Sequence, residues 1–117
     1  MTEPMSLETL ARQAESLQGV RRPDLGCGDA VIVTTRNSSY VIISLGNGMY
    51  RVSGGWFDRM GASPAVTTIN GCTWGGSAIK SDLIAGPGLF LEFGNRVVTT
   101  RIRTVRVTRA RPSPTVH

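Results

Sequence analysis

Apolar and polar positions alternate most regularly between Asp29 and Gly55. Tyr40–Leu45 and Tyr50–Val52 are β-rich runs separated by Asn47-Gly48. Such a pair tolerates positive φ at both central residues of a type I′ turn and so marks a hairpin. Asn37-Ser38 separates Ala30–Arg36 from Ser39–Leu45 in the same way. Pairing through these turns sets Leu45 opposite Tyr50, Ile43 opposite both Val52 and Ile32, and Thr34 opposite Val41. Ala30, Ile32, Val41, Ile43, Leu45, Tyr50 and Val52 then share a face, which alternation makes the core face. The opposite face carries Val31, Val33, Tyr40, Ile42 and Met49 beside Thr35, Ser44 and Arg51. A sheet with one buried face alternates more sharply than this. The pattern therefore predicts a cover over the second face, either an N-terminal helix or a second copy of the chain. Val33, Ile42 and Met49 are the candidate oligomer face.

Ser6–Leu17 has helical spacing, with Leu7, Leu10, Ala11, Ala14 and Leu17 on one stripe. Ser6 is positioned to cap it, Glu3 and Glu8 complement its dipole, and Gly19 is a stop. Residues 1–28 thus read as a helix and linker, ahead of a β domain over 29–108. Within that domain Trp56–Pro64 reads as an ordered loop and Ala65–Ile69 as a short strand. The glycine-dense stretch Gly71–Gly88 resists assignment, and Ala78–Ala85 fits a helical turn or a short strand. Leu89–Phe93 is a strand with Leu89, Leu91 and Phe93 inward. Val97–Thr108 changes phase between Ile102 and Val105, which predicts a β-bulge near Arg103-Thr104. Residues 109–117, with Pro112 and Pro114, read as a disordered tail. The expected fold is mainly β: an antiparallel meander of six to seven strands forming a small barrel or compact sandwich, with one N-terminal helix.

Composition adds bounds. The 117 residues are 40% hydrophobic and 18% charged, as in a globular chain that buries a core without staples. No apolar run reaches the roughly 18 residues of a membrane span, and Met1–Leu10 lacks the regions of a signal peptide. A cytoplasmic, membrane-free setting is the expectation. Cys27 and Cys72 are far apart and without a nearby His, which predicts structural thiols rather than a metal or redox motif. The net charge of +5 is unevenly spread. Residues 1–95 carry seven basic side chains against all eight acids, whereas residues 96–117 carry six arginines and no acid. The positive field belongs to the C-terminal segment, where it attracts phosphate or other anions.

Catalytic chemistry is poorly supplied. The single histidine is His117, which removes His-based acid–base work and His-ligated metal from the core of the protein. Asp29, Asp58, Asp82 and Glu92 form no close carboxylate pair in sequence, and Glu92 reads as an outward strand position. No catalytic residue, metal ligand or cofactor is assigned, and the reading leans away from an enzyme. Gly71-Cys72-Thr73-Trp74-Gly75-Gly76-Ser77 followed by Lys80-Ser81 resembles a phosphate loop in composition but not in spacing, because Ile79 stands where glycine is needed. Strand–turn–strand glycines explain the run better. Gly71, Trp74, Gly75, Gly76 and Ser77 remain a candidate ligand loop, with Trp74 a lid or stacking platform or, preferably, a core plug over an open barrel end. Arg101, Arg103 and Arg106 share an outward face once the bulge is allowed for, and are candidate anion or nucleic-acid contacts. Stacking aromatics usually interleave such charges, and none lies within this strand.

The chain resembles an uncharacterised family of small bacterial all-β proteins over Gly28–Val107. The resemblance rests on Thr35-Arg36-Asn37-Ser38 with Tyr40, Gly54-Gly55, Gly71 with Gly75-Gly76-Ser77, Leu91-Glu92-Phe93, and Thr99-Thr100 before Ile102 and Val105. Where the family commonly has Thr-Ser-x-Val, this chain has Thr-Thr-Arg-Ile. The resemblance implies a fold unit and no substrate. Function is expected to be non-catalytic: a self-associating binding or scaffold module whose partner is itself. The rivals are a nucleic-acid-binding β-barrel using the C-terminal arginines and, more weakly, a small-ligand or enzymatic site around Trp74.

Overall fold

The computed structural model describes residues 15–17, 19–76 and 78–110. Its strands are β1 (Glu15–Leu17), β2 (Val20–Arg21), β3 (Ala30–Thr35), β4 (Ser39–Gly46), β5 (Met49–Gly54), β6 (Ala65–Thr67), β7 (Ile69–Thr73), β8 (Ile79–Lys80), β9 (Leu83–Ala85), β10 (Phe90–Phe93) and β11 (Ile102–Thr108). A 3-10 turn at Arg22–Asp24 and one helical turn, α1 (Gly55–Arg59), interrupt them. The sheets are antiparallel and run β1-β11-β3-β4-β5-β6, β10-β7-β8 and β2-β9. The largest keeps β1 and β6 as edges, so the strands do not close into a barrel. Among the described residues no helix is long and apolar enough to cross a membrane.

The expected N-terminal helix is not seen. Its last residues, Glu15–Leu17, are strand β1, paired with Val105–Val107 of β11. Pairing with an existing strand satisfies backbone groups that a short isolated helix would satisfy only marginally, and tertiary context overrides propensity here. Residues 6–14 of that expectation lie outside the described residues.

The meander forms, but in another register. Asn47 (φ 55°) and Gly48 (φ 77°) occupy the turn position expected of them, with Gly46 paired to Met49. A bulge at Leu45, beside Gly46 at φ 84°, then slips the ladder by one, so Ser44 faces Tyr50 and Ile42 faces Val52. In the preceding hairpin Thr35 N–H donates to Ser38 O at 2.8 Å. Arg36-Asn37, and not Asn37-Ser38, are thus the central residues, and Ile32 pairs with Val41. The one-residue slip at Leu45 gives Tyr50 and Val52 to the face opposite the expected one. Val31, Val33, Tyr40, Ile42, Ser44, Tyr50 and Val52 are buried, while on the outer face Val41 and Ile43 are half-buried and Ile32 alone of the three is buried. The second face is covered, but by neither the expected helix nor a second copy: Ile69, Cys72, Ile84, Leu91 and Phe93 from β7, β9 and β10 complete one core with Val33 and Ile42. Both of the latter are 0% exposed, so they cannot form an oligomer face. Met49 points to the other side of β5, next to Tyr50 in sequence and therefore opposite to it.

Two devices lock the layers. Gly54-Gly55 (φ 94° and 47°) pass so close to β4 that a Cβ at Gly54 would overlap Ser39 O and one at Gly55 would overlap the Tyr40 ring. That approach lets Tyr40, Trp56, Phe57 and Phe93 cluster, with Phe57 and Phe93 edge to face at 5.1 Å, a favoured aromatic geometry. Around the rim, Arg22 donates to Ser81 O (2.6 Å) and Ile69 O (2.9 Å), tying the N-terminal linker to the small sheets. Asp29 accepts from Gly26 N–H (2.9 Å), Ala110 N–H (2.7 Å) and Arg109 Nη1 (3.1 Å), tying that linker to Arg109-Ala110 just past β11, so the first two residues of the expected tail are held, and residues 111–117 lie outside the described residues.

Candidate functional site

The arginine strand is bent by a bulge at the predicted place. Ile102 pairs with Thr35, Thr104 pairs with Thr34, and Arg103 is the extra residue. The phase change follows: Ile102, Val105 and Val107 are all buried, and Arg101 and Arg103 point out. Because β11 lies beside β3, the start of the strand meets the tip of the β3–β4 hairpin. Arg36, Asn37, Thr100, Arg101 and Arg103 line an open surface cleft of about 830 Å³, and none of these lining residues is acidic. Arg59 adds a further cation nearby, donating to Ser38 Oγ at 3.1 Å just past the hairpin tip.

Arg101 is fixed in place. Its guanidinium carbon lies 5.1 Å from the centroid of the Phe90 ring, a cation–π distance, and its Nη1 donates to Gly88 O at 3.3 Å. Backbone bonds Gly88 N–H to Ile102 O (2.8 Å) and Ile102 N–H to Leu89 O (2.7 Å) hold the strand start against the turn before β10. Thr99 completes the brace: its hydroxyl accepts from Leu91 N–H at 3.1 Å and donates to Thr100 O at 2.7 Å. These bonds give the Thr99-Thr100 motif a structural task, since they hold Thr100 and Arg101 at the cleft wall. Arg106 sits apart. It pairs with Ile32 on one side and Ser16 on the other, half-buried in the sheet and outside the cleft lining.

The glycine loop joins this end of the molecule. Gly71 belongs to β7, where a Cβ would overlap Lys80 O, so its glycine serves the close β7–β8 approach. Trp74, Gly75 and Gly76 form the connecting loop and are exposed; Ser77 lies outside the described residues. The Thr73 hydroxyl orders the loop, accepting from Gly75 N–H at 3.0 Å and donating to Gly76 O at 2.9 Å. Trp74 is 62% exposed, which corrects the expectation of a core plug: the largest sheet is open, so there is no barrel end to close. Phe90 pairs with Thr73, and its ring lies against Gly75. Phe90 is thus the aromatic that the sequence placed outside the arginine strand and the fold returns to it.

Titration behaviour separates structural groups from this surface. Burial pushes the Asp29 carboxyl up, but N–H donors from Ala110 and Gly26 and the Arg109 guanidinium outweigh it and hold the group below the usual carboxylate range. Asp58 is lowered by the Ser63 hydroxyl and the Gly54 N–H. Burial raises the Cys72 thiol to about 11, so it is a packing group, not a nucleophile; Cys27 is exposed and unbridged. The described residues hold no group of three or more His, Cys, Asp or Glu side chains placed to bind a metal ion. Glu92 lies half-buried on β10, where it accepts from Asn70 Nδ2 at 2.7 Å.

Sequence reading named Arg101, Arg103 and Trp74 but missed Arg36, Asn37, Thr100 and Phe90. The missing signal was the pairing of β3 with β11, a contact across most of the chain that no local pattern announces. Comparison of the chain with protein-family models, curated proteins and solved structures returns no match.

Proposed function

We propose that this chain is a non-catalytic binding module that holds the phosphate backbone of a nucleic acid against Arg36, Arg101 and Arg103. The observation that carries the reading is the convergence of these arginines, from segments distant in sequence, on one open cleft whose lining among the described residues includes no acid. Guanidinium groups bind phosphate through paired, charge-assisted hydrogen bonds, and an open cleft suits a chain that passes through it better than a small molecule enclosed by it. Each neutralised phosphate releases condensed counterion, so three contacts on a single strand give a log–log salt slope of about −2. Fluorescence anisotropy of a labelled oligonucleotide between low and high salt tests this. The R36Q/R101Q/R103Q variant is expected to flatten the slope and leave thermal stability nearly unchanged, since exposed charges contribute little to folding. R51Q, on the outer face of β5, is expected to keep the wild-type slope. A slope untouched by the triple change removes the reading.

Self-association is a second reading, favoured by Val66, 56% exposed on the open edge strand β6. An uncovered edge offers unpaired backbone groups to a second copy. Its residues would be those of the outer face, including Met49, and not Val33 or Ile42.

A further inference from the structure

We infer that Trp74 is a stacking platform for an unpaired base, which makes the ligand single-stranded; this inference rests on the cleft reading above. Trp74 is 62% exposed and lies outside the core cluster and the side chains packed against it, so the core does not account for this large apolar ring. Its loop is nevertheless ordered, through the Thr73 hydroxyl bonds to Gly75 and Gly76. The loop adjoins the cleft by an unbroken path: Gly75 lies against the Phe90 ring, and Arg101 lies over that ring at 5.1 Å. Arg101 also lines the cleft with Arg36 and Arg103. An exposed indole on a loop that abuts the Phe90 ring, with the Arg101 guanidinium held over that same ring, suits a single strand, whose bases stack on aromatic faces while cations follow the phosphates. A duplex keeps its bases stacked inside and cannot offer one to Trp74 without paying to unstack it.

The test compares three probes on the full chain by anisotropy: a labelled dT12 strand, a duplex of equal length, and inorganic polyphosphate as competitor. The variants are W74A, W74F and R36Q/R101Q/R103Q. W74A is expected to weaken dT12 binding roughly 5- to 150-fold, the effect of losing one stacked base. It should leave the salt slope and the polyphosphate affinity unchanged. W74F should recover most of the loss, because phenylalanine keeps a π-face. Duplex should bind more weakly than dT12 to the wild type and equally to W74A. Unchanged dT12 affinity in W74A, with polyphosphate and dT12 still dependent on the arginines, overturns the stacking inference and spares the cleft. Insensitivity of every probe to the arginine variant overturns the cleft reading itself. Loss of a dimer in W74A by sedimentation, without dT12 binding, assigns the platform to a second copy and overturns the inference.

Discussion

Asp29 shows what a single residue does here. It is 8% exposed and accepts from Gly26, Ala110 and Arg109, so one carboxylate joins the chain before β3 to the chain after β11. Removing its charge leaves these donors facing a weaker acceptor, and D29N is expected to cost about 1–3 kcal/mol at pH 7. The folded-state pKa is lowered. The stabilisation is therefore fully present above the unfolded value of about 3.9 and lost as pH falls through the lowered folded value. Chemical denaturation of wild type and D29N across pH should show a gap that is constant near neutrality and narrows below about pH 4. A gap that is constant down to acid contradicts the charge argument. Sequence could place Asp29 at the entry to the sheet, but not beside Arg109, because that meeting depends on β11 lying next to β3.

At the scale of elements, the turns and bulges were partly legible. Asn47-Gly48 and the phase change around Arg103 both act through backbone rules that a local sequence carries, and both stand where expected. The bulge at Leu45 was not legible, because Leu45 continues an apolar run and nothing in it signals an extra residue. That one residue exchanged the core face of the meander and moved Val33 and Ile42 from a candidate surface to the interior. Both faces of β3 and β4 are apolar, so alternation had no strong preference with which to resist the slip. Gly54-Gly55 were legible as a motif, and only the structure gives their task against Ser39 and Tyr40. G48A meets nothing within 4 Å and pays only for positive φ, about 1–2 kcal/mol. G55A pays that cost and also displaces the buried Tyr40 ring. Its urea midpoint should lie well below that of G48A. Equal midpoints would show that the aromatic cluster yields freely.

Over the whole molecule, the sequence located positive charge in the last strand but not the cleft that this charge lines. Arg101 and Arg103 share their cleft with Arg36, contributed by a hairpin tip some 65 positions earlier. Phe90, under Arg101, comes from a separate sheet. Such convergence is a property of topology, and here the order β11-β3-β4 creates it. The most direct measurement is an NMR titration of 15N-labelled protein with dT12, observing the arginine Nε–Hε signals. The account predicts progressive shifts for Arg36, Arg101 and Arg103, with Arg51 on the outer sheet face and Arg21 beside Asp82 left in place. Shifts confined to Arg21 or Arg51, or a spectrum unchanged at saturating dT12 in low salt, would contradict it.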